Sequence, residues 1–380
     1  MSPQAPIYLD HAATTPVDPR VAEAVMHHMV EAYGNAGSRT HEYGTRSAQA
    51  AEHARAQVAA VVNVDPAEVV FTSGATESDN LAILGLARYG VESGRRHIVS
   101  TTIEHKAVLE PLEHLAERGF EIELVQPETS GAVDAKRVLS AVKSDTLLVS
   151  VMHVNNETGI QQPLEAIGDG LDDPGVYFHS DAAQGFGKAL EPLQHQRLDM
   201  VSISGHKVYA PKGIGALITR RRGHKRPPLA PLLMGGGQER GLRPGTLPVH
   251  LAVGLGLASE LAANEAASRR DHSVEMRTRV LEAITSVGGQ VNGDPAQSVP
   301  NIINVSIPGL DSEAVILALR DLVSISNGSA CTSATYEPSH VLTAMGLDDD
   351  RRRGAIRLSW GPGAKSPDFD AIHSQIQRLQ

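Results

Sequence analysis

Short apolar, β-branched runs alternate along this chain with longer stretches whose apolar residues recur every three or four positions. Val69–Thr72, His97–Thr101, Glu121–Val125, Thr146–Met152, Val176–His179, Met200–Ile203 and Ala216–Thr219 predict strands, and Ser78–Tyr89 and Ala107–Arg118 predict helices between them. An Ala-rich helix is expected ahead of these, over Arg46–Val62, with Ala50, Ala54, Val58, Val61 and Val62 at helical spacing. Such alternation predicts an α/β fold, a mostly parallel sheet sandwiched by helices. Beyond a glycine-dense stretch at Gly235–Gly245 the pattern changes. Helices are expected over Pro248–Glu260 and Ser268–Val287, then strands at Ile302–Ile307 and Ala355–Ser359 mixed with helices at Ser312–Asp321 and Asp368–Leu379. This second part predicts a smaller α+β domain, joined through the helical region near residue 260.

Composition narrows the function. The 34 basic and 44 acidic side chains leave a net charge of −10, and aromatic residues make up 3%, which argues against direct nucleic-acid binding. The most basic run, Arg220–Arg226, is expected to be a solvated turn after the Ala216–Thr219 strand. A single cysteine, Cys331, excludes an intrachain disulfide and a cysteine-cluster metal site, and with no His-Glu-x-x-His motif no metal is expected. The N-terminus has neither a basic nor an apolar leader segment, and no apolar stretch approaches the roughly 20 residues that span a bilayer. A cytoplasmic protein with a reduced thiol and no membrane contact is therefore expected.

Three local patterns carry chemistry. In Phe71-Thr72-Ser73-Gly74-Ala75-Thr76-Glu77-Ser78 a strand ends, a glycine turns the chain, and Thr and Ser open a helix, the usual setting for an anion on free backbone N–H groups. Asp181 ends the Val176–His179 strand segment, and Lys207, in Ser204-Gly205-His206-Lys207, ends the next strand one crossover unit later. Ligands of open α/β sheets bind outside such strand ends. A lysine facing an aspartate beside a phosphate-binding helix end is what pyridoxal phosphate requires: an amine for its aldehyde, a carboxylate for its ring nitrogen, and N–H groups for its phosphate.

With these residues in view, the chain resembles the cysteine desulfurases of the NifS/IscS type, in fold type I of the pyridoxal-phosphate-dependent enzymes. The matching stretches are Tyr8–Thr15, Phe71–Asn80, Glu104–Val108, Met152–Gly159, Ser204–Lys207, Gly245–Pro248 and Gly328–Ser333, in the family's order over almost the whole chain. The resemblance implies a large cofactor-binding domain over 14–258, and a small domain from 1–13 and 259–380 that carries a mobile cysteine loop at about 326–337. Lys207 would hold the cofactor and move the Cα proton, Asp181 would pair with the ring nitrogen, and Gln184 with the ring hydroxyl. His105 would stack on the ring, and Ala75, Thr76, Ser204 and His206 would bind the phosphate, with Thr246 reaching in from the other subunit of a homodimer. Asn156 and Arg357 would hold the carboxylate of L-cysteine, and Cys331 would take its sulfur as a persulfide. The sulfur would pass to an acceptor protein in iron–sulfur cluster assembly, tRNA thiolation or DNA phosphorothioation. The alternatives are another fold type I lyase, such as a selenocysteine lyase, and a non-catalytic sulfur-relay scaffold.

Overall fold

The computed structural model describes residues 5–328 and 339–380. Cys331, and most of the segment expected to carry it, lies outside the described residues.

A seven-stranded sheet forms the larger part, in the order Val69–Thr72, Gly215–Thr219, Met200–Ser204, Tyr177–Asp181, Thr146–Ser150, His97–Thr101, Glu121–Val125. Every pairing is parallel except the two made by Gly215–Thr219, which runs against both its neighbours. The inner strands are buried on both faces, and alternate residues feed two cores. Val99, Val149, Phe178, Val201 and Ile218 point to one side, where the Pro19–Val30, Glu42–Val61 and Val249–Asn264 helices pack. Ile98, Leu148, Met200 and Leu217 point to the other, beneath the Ala75–Ser93 and Lys106–Ala116 helices. Val249–Asn264 crosses Glu42–Val61 closely because Gly256 has no side chain; a Cβ there would sit 2.6 Å from Ala54 Cα.

The smaller part is a three-stranded antiparallel sheet in the order Ala355–Ser359, Ile302–Ser306, Gln290–Val291, with the Ala266–Ser286, Ser312–Leu319 and Phe369–Gln377 helices against it. Its core gathers Val280, Ile284, Val305, Ile356 and Trp360, and it takes in Leu9 from the start of the chain. A short parallel pair, Ile7–Tyr8 with Val323–Ser324, stitches that start onto it.

Two differences from the sequence reading matter for the site. The Ala75–Ser93 helix begins three residues before the expected Ser78, so its first turn lies directly on the glycine turn. The strand from Thr146 stops at Ser150, and the next residues leave the sheet to line a cavity. The basic run is also not a solvated turn throughout. Arg220 is buried and donates to the carbonyls of Leu198, Val62 and Leu193, while Arg222 is paired with buried Asp199. Those two guanidiniums satisfy backbone carbonyls and a carboxylate that would otherwise be buried unpaired.

Candidate active site

The strand ends at one edge of the large sheet surround a cavity of about 530 Å³, closed on its far side by Arg357 from the smaller sheet. Ala75, Thr76, His105, Asn156, Asp181, Gln184, Ser204, His206, Lys207 and Arg357 all line it. Thr246 does not line this cavity.

The anion turn comes first along the chain. Gly74 is the N-cap of the Ala75–Ser93 helix, and no side chain caps it, so the N–H groups of the first turn are open toward the cavity. The backbone is packed tightly beneath. A Cβ at Gly215 would lie 2.6 Å from Gly74 Cα, so the neighbouring strand can press against the turn only as glycine. Glu77 fixes the turn from outside, accepting from Ser73 N at 2.7 Å and pairing with Arg243 at 3.0 Å.

Asp181 and Lys207 follow from strand pairing. Asp181 is in register with Ser202 of the adjacent strand, and the chain then turns through Gly205–Lys207 at that strand's end. Asp181 is 6% exposed and accepts from Ala183 N at 2.9 Å, but among the described residues it has no cationic partner. Burial, reinforced by the nearby Asp79, pushes its carboxyl up to about 6. A cation placed beside it in the cavity would hold such a carboxyl as the anion. Lys207 Nζ donates to the Ala12 carbonyl at 2.5 Å and to the Ala13 carbonyl at 2.9 Å. Gln184 Nε2 donates to the same Ala12 oxygen at 2.8 Å.

His105 is the N-cap of the Lys106–Ala116 helix and accepts from Ala107 N at Nδ1, 3.1 Å away. Burial lowers its pKa from the ordinary imidazole value, and an Nδ1 that accepts from Ala107 leaves the ring proton on Nε2. Burial, reinforced by Lys207, Lys212 and Lys188, lowers His206 to about 4. A neutral His206 contacts Thr14 Oγ1 at 3.1 Å. Arg357 donates from Nη1 to the Asn156 carbonyl at 2.9 Å and from Nη2 to Asp10 at 2.7 Å, and its Nε has no partner.

The sequence reading did not assign Asp79, Glu104 or His179, which form a buried polar layer behind Asp181. His179 lies two residues before Asp181, on the same face of the strand. Its ring bridges Ser150 Oγ and Ser202 Oγ, each at 2.9 Å, with Asp79 Oδ1 at 3.4 Å. Burial pushes Asp79 up to about 7 and Glu104 up to about 8. The available signal was positional: Asp79 falls one helical turn after Ala75, on the inward face, and Glu104 directly precedes His105.

The arrangement thus joins an open helix N-terminus, an unpaired buried carboxylate, a strand-end lysine and an arginine in one cavity. The family model for Aminotransferase class-V matches residues 7–372. The cysteine desulfurase IscS of Vibrio cholerae is 46% identical over 368 residues, 96% of this chain and 90% of that protein. Among solved structures, DndA from Streptomyces lividans is 50% identical with a TM-score of 0.83, covering 94% of this chain and 100% of that one. SspA in complex with cysteine is 36% identical with a TM-score of 0.82, covering 94% of this chain and 99% of that one. The chain belongs to the class V aminotransferase family, among its cysteine desulfurases of the NifS/IscS type.

Proposed function

We propose that this protein is a pyridoxal-phosphate-dependent cysteine desulfurase. It takes the sulfur of L-cysteine onto Cys331 as a persulfide, releases L-alanine, and passes the sulfur to an acceptor protein. The observation that carries this is the convergence of Lys207, the unpaired Asp181 and the open first turn of the Ala75–Ser93 helix on one cavity. The solved relative SspA, in complex with cysteine, supports the substrate.

The residues present suit the cofactor. The N–H groups at Ala75 and Thr76, with Ser204 and His206, would take the phosphate. Asp181 would take the ring nitrogen, Gln184 the ring oxygen, His105 the ring face, and Lys207 the aldehyde carbon. When bound, pyridoxal phosphate supplies an electron sink for the charge that develops at the substrate Cα. Lys207 then carries the Cα proton, and Arg357 with Asn156 orients the substrate carboxylate. The Cys331 thiolate forms an S–S bond to the substrate sulfur as the Cβ–S bond breaks. The electrons of that bond stay with carbon, which ends protonated as the methyl group of alanine.

In this reading residues 14–258 hold the cofactor, and 1–13 with 259–380 carry Arg357 and Cys331. Thr246 serves the cavity of a second copy in a homodimer. A reducing, cytoplasmic setting suits the single thiol, and no described helix is long and apolar enough to cross a membrane. The pathways such an acceptor would serve are iron–sulfur cluster assembly, tRNA thiolation or DNA phosphorothioation.

Incubation of the cofactor-loaded protein with L-cysteine, with alanine and sulfide both quantified, tests the reading. Equal amounts of the two in the presence of a thiol reductant, and none from Lys207→Ala, are expected. Alanine production that survives in Lys207→Ala would overturn it.

A further inference from the structure

Lys188 sits just behind the cavity, half-buried, where it also lines a smaller cavity beside Tyr209 and Trp360. Its Nζ donates to Gln184 Oε1 at 3.3 Å. Gln184 is 3% exposed and donates from Nε2 to the Ala12 carbonyl, which also accepts from Lys207 Nζ. One chain of hydrogen bonds therefore runs from Lys188 through Gln184 and Ala12 to Lys207.

The two ends of an amide are not equivalent in such a chain. With an ammonium on one side and a carbonyl oxygen on the other, only one orientation of Gln184 satisfies both. A flip would set its NH₂ against the ammonium and its oxygen against the Ala12 carbonyl. The orientation that remains spends one N–H on Ala12 and leaves the second free for the cavity. Among the described residues no carboxylate pairs with Lys188. Burial and two cationic neighbours, Lys207 and Arg357, lower its pKa to about 7. An anionic oxygen at the Gln184 amide offsets that repulsion and holds Lys188 as the ammonium, the form that can only donate to Oε1.

We propose that Lys188 is a positioning residue: its bond to Gln184 Oε1 fixes the amide so that an N–H, backed by positive charge, meets the ring oxygen of the cofactor. This rests on the pyridoxal phosphate reading above.

The test is equilibrium binding of pyridoxal phosphate to the apoprotein, followed by absorbance, for wild type, Lys188→Met, Lys188→Arg, Gln184→Ala and the Lys188→Met/Gln184→Ala double variant. Loss of one hydrogen bond backed by charge should weaken binding by Lys188→Met about tenfold, with most of it recovered in Lys188→Arg. Because Lys188 acts through Gln184, the double variant should match Gln184→Ala to within about twofold. Where methionine prevents folding, Lys188→Gln carries the same comparison, with about threefold weakening expected from a neutral donor. Unchanged affinity in the Lys188 variants, or losses that multiply in the double variant, would overturn the proposal while leaving the cofactor reading intact. A wild-type protein that bound no pyridoxal phosphate would overturn both.

Discussion

Arg357 Nη2 donates to Asp10 Oδ1 at 2.7 Å, and the guanidinium is 2% exposed. Ser326 Oγ donates to the same carboxylate oxygen at 3.1 Å, so Asp10 holds both the arginine and the last stretch of chain before the segment that carries Cys331. Arg357 belongs to the small sheet and Asp10 to the opening residues of the chain, which makes the pair a tie between the two ends of the sequence. Under the proposed function its use is orientation. A bidentate grip on a carboxylate needs the guanidinium plane fixed in advance, and long side chains lose entropy when a ligand must fix them.

Asp10→Asn should therefore raise the KM for L-cysteine about tenfold, the value of one charge-assisted hydrogen bond. Because Asp10 touches neither the sulfur nor Lys207, kcat should stay within about threefold. Steady-state alanine production gives both constants. A fall in kcat at unchanged KM would place Asp10 in the chemical step instead.

Cys331→Ser separates cofactor chemistry from sulfur transfer. The variant should bind pyridoxal phosphate with wild-type affinity and still alter its absorbance on addition of L-cysteine, since Lys207, Asp181 and Arg357 are untouched. Sulfide release should fall by about a thousandfold or more, because a hydroxyl is a far weaker nucleophile than a thiolate at neutral pH. Sulfide at the wild-type rate would remove Cys331 from the reaction. It would favour a lyase mechanism that needs no protein thiol.

The buried carboxyls give a pH dependence whose sign can be worked out. Glu104 has its pKa raised from 4.5 to about 8 by burial. Between those values the folded state keeps a proton that the unfolded state has released, so stability falls as pH rises through that window. Asp79, raised to about 7, acts in the same direction. His153 and His179 are lowered by burial to about 3 and about 4 and act oppositely, but only up to the ordinary imidazole value of 6.5. Above pH 7 Lys188, lowered from 10.5 to about 7, also acts oppositely, so the Glu104 contribution is isolated by comparing two proteins that share every other group. Urea unfolding of the cofactor-loaded protein should show wild type losing stability relative to Glu104→Gln between about pH 6.5 and about pH 8.5. Gln can keep the oxygen that accepts from Thr101 Oγ1 and Met152 N, each at 2.8 Å. Parallel pH profiles would show that Glu104 does not titrate in this range.

The sequence made the sheet legible because its strands alternate between two buried faces, and His97–Thr101, Glu121–Val125 and Ala355–Ser359 fall on the expected residues. Asp181 and Lys207 were legible as strand-end residues, since topology alone places such ends along one edge. What was hidden depends on packing across elements. Arg220 reads as part of a charged run, yet it is buried by carbonyls from segments more than 150 residues away in sequence as well as nearby ones. Asp79 reads as an ordinary helix residue, and only the pairing of Tyr177–Asp181 with Met200–Ser204 brings His179 and Ser202 against it. The glycine-dense stretch shows in the sequence only as a change of pattern, although it holds a buried, bidentate ion pair.

That pair is Glu239 with Arg55. Both side chains are 5% exposed, and the contact is bidentate, at 2.7 and 2.8 Å. Glu239 also accepts from Phe71 N at 2.7 Å, and the guanidinium stacks 4.6 Å from the Phe71 ring centroid. The backbone is held in the left-handed region at Glu239 and Arg240, with φ of +47° and +58°, a conformation that non-glycine residues adopt only when their surroundings enforce it. From there the chain reaches Arg243, whose ion pair with Glu77 braces the anion turn. Glu239→Gln should therefore act at two levels. Losing its buried partner leaves the guanidinium only the exposed Glu52, 3.1 Å from Nε, and should cost about 1.5–3 kcal/mol in urea unfolding. Releasing the segment should also weaken the affinity of the apoprotein for pyridoxal phosphate, though the substituted side chain does not line the cavity. Arg55→Met/Glu239→Leu, which removes both charges, should recover much of the stability, because an apolar pair of similar volume can replace a buried ion pair at little net cost. It should recover little of the affinity, since leucine offers Phe71 N no acceptor and the turn loses its anchor. Recovery of both together would mean that the segment contributes to the site only through global stability.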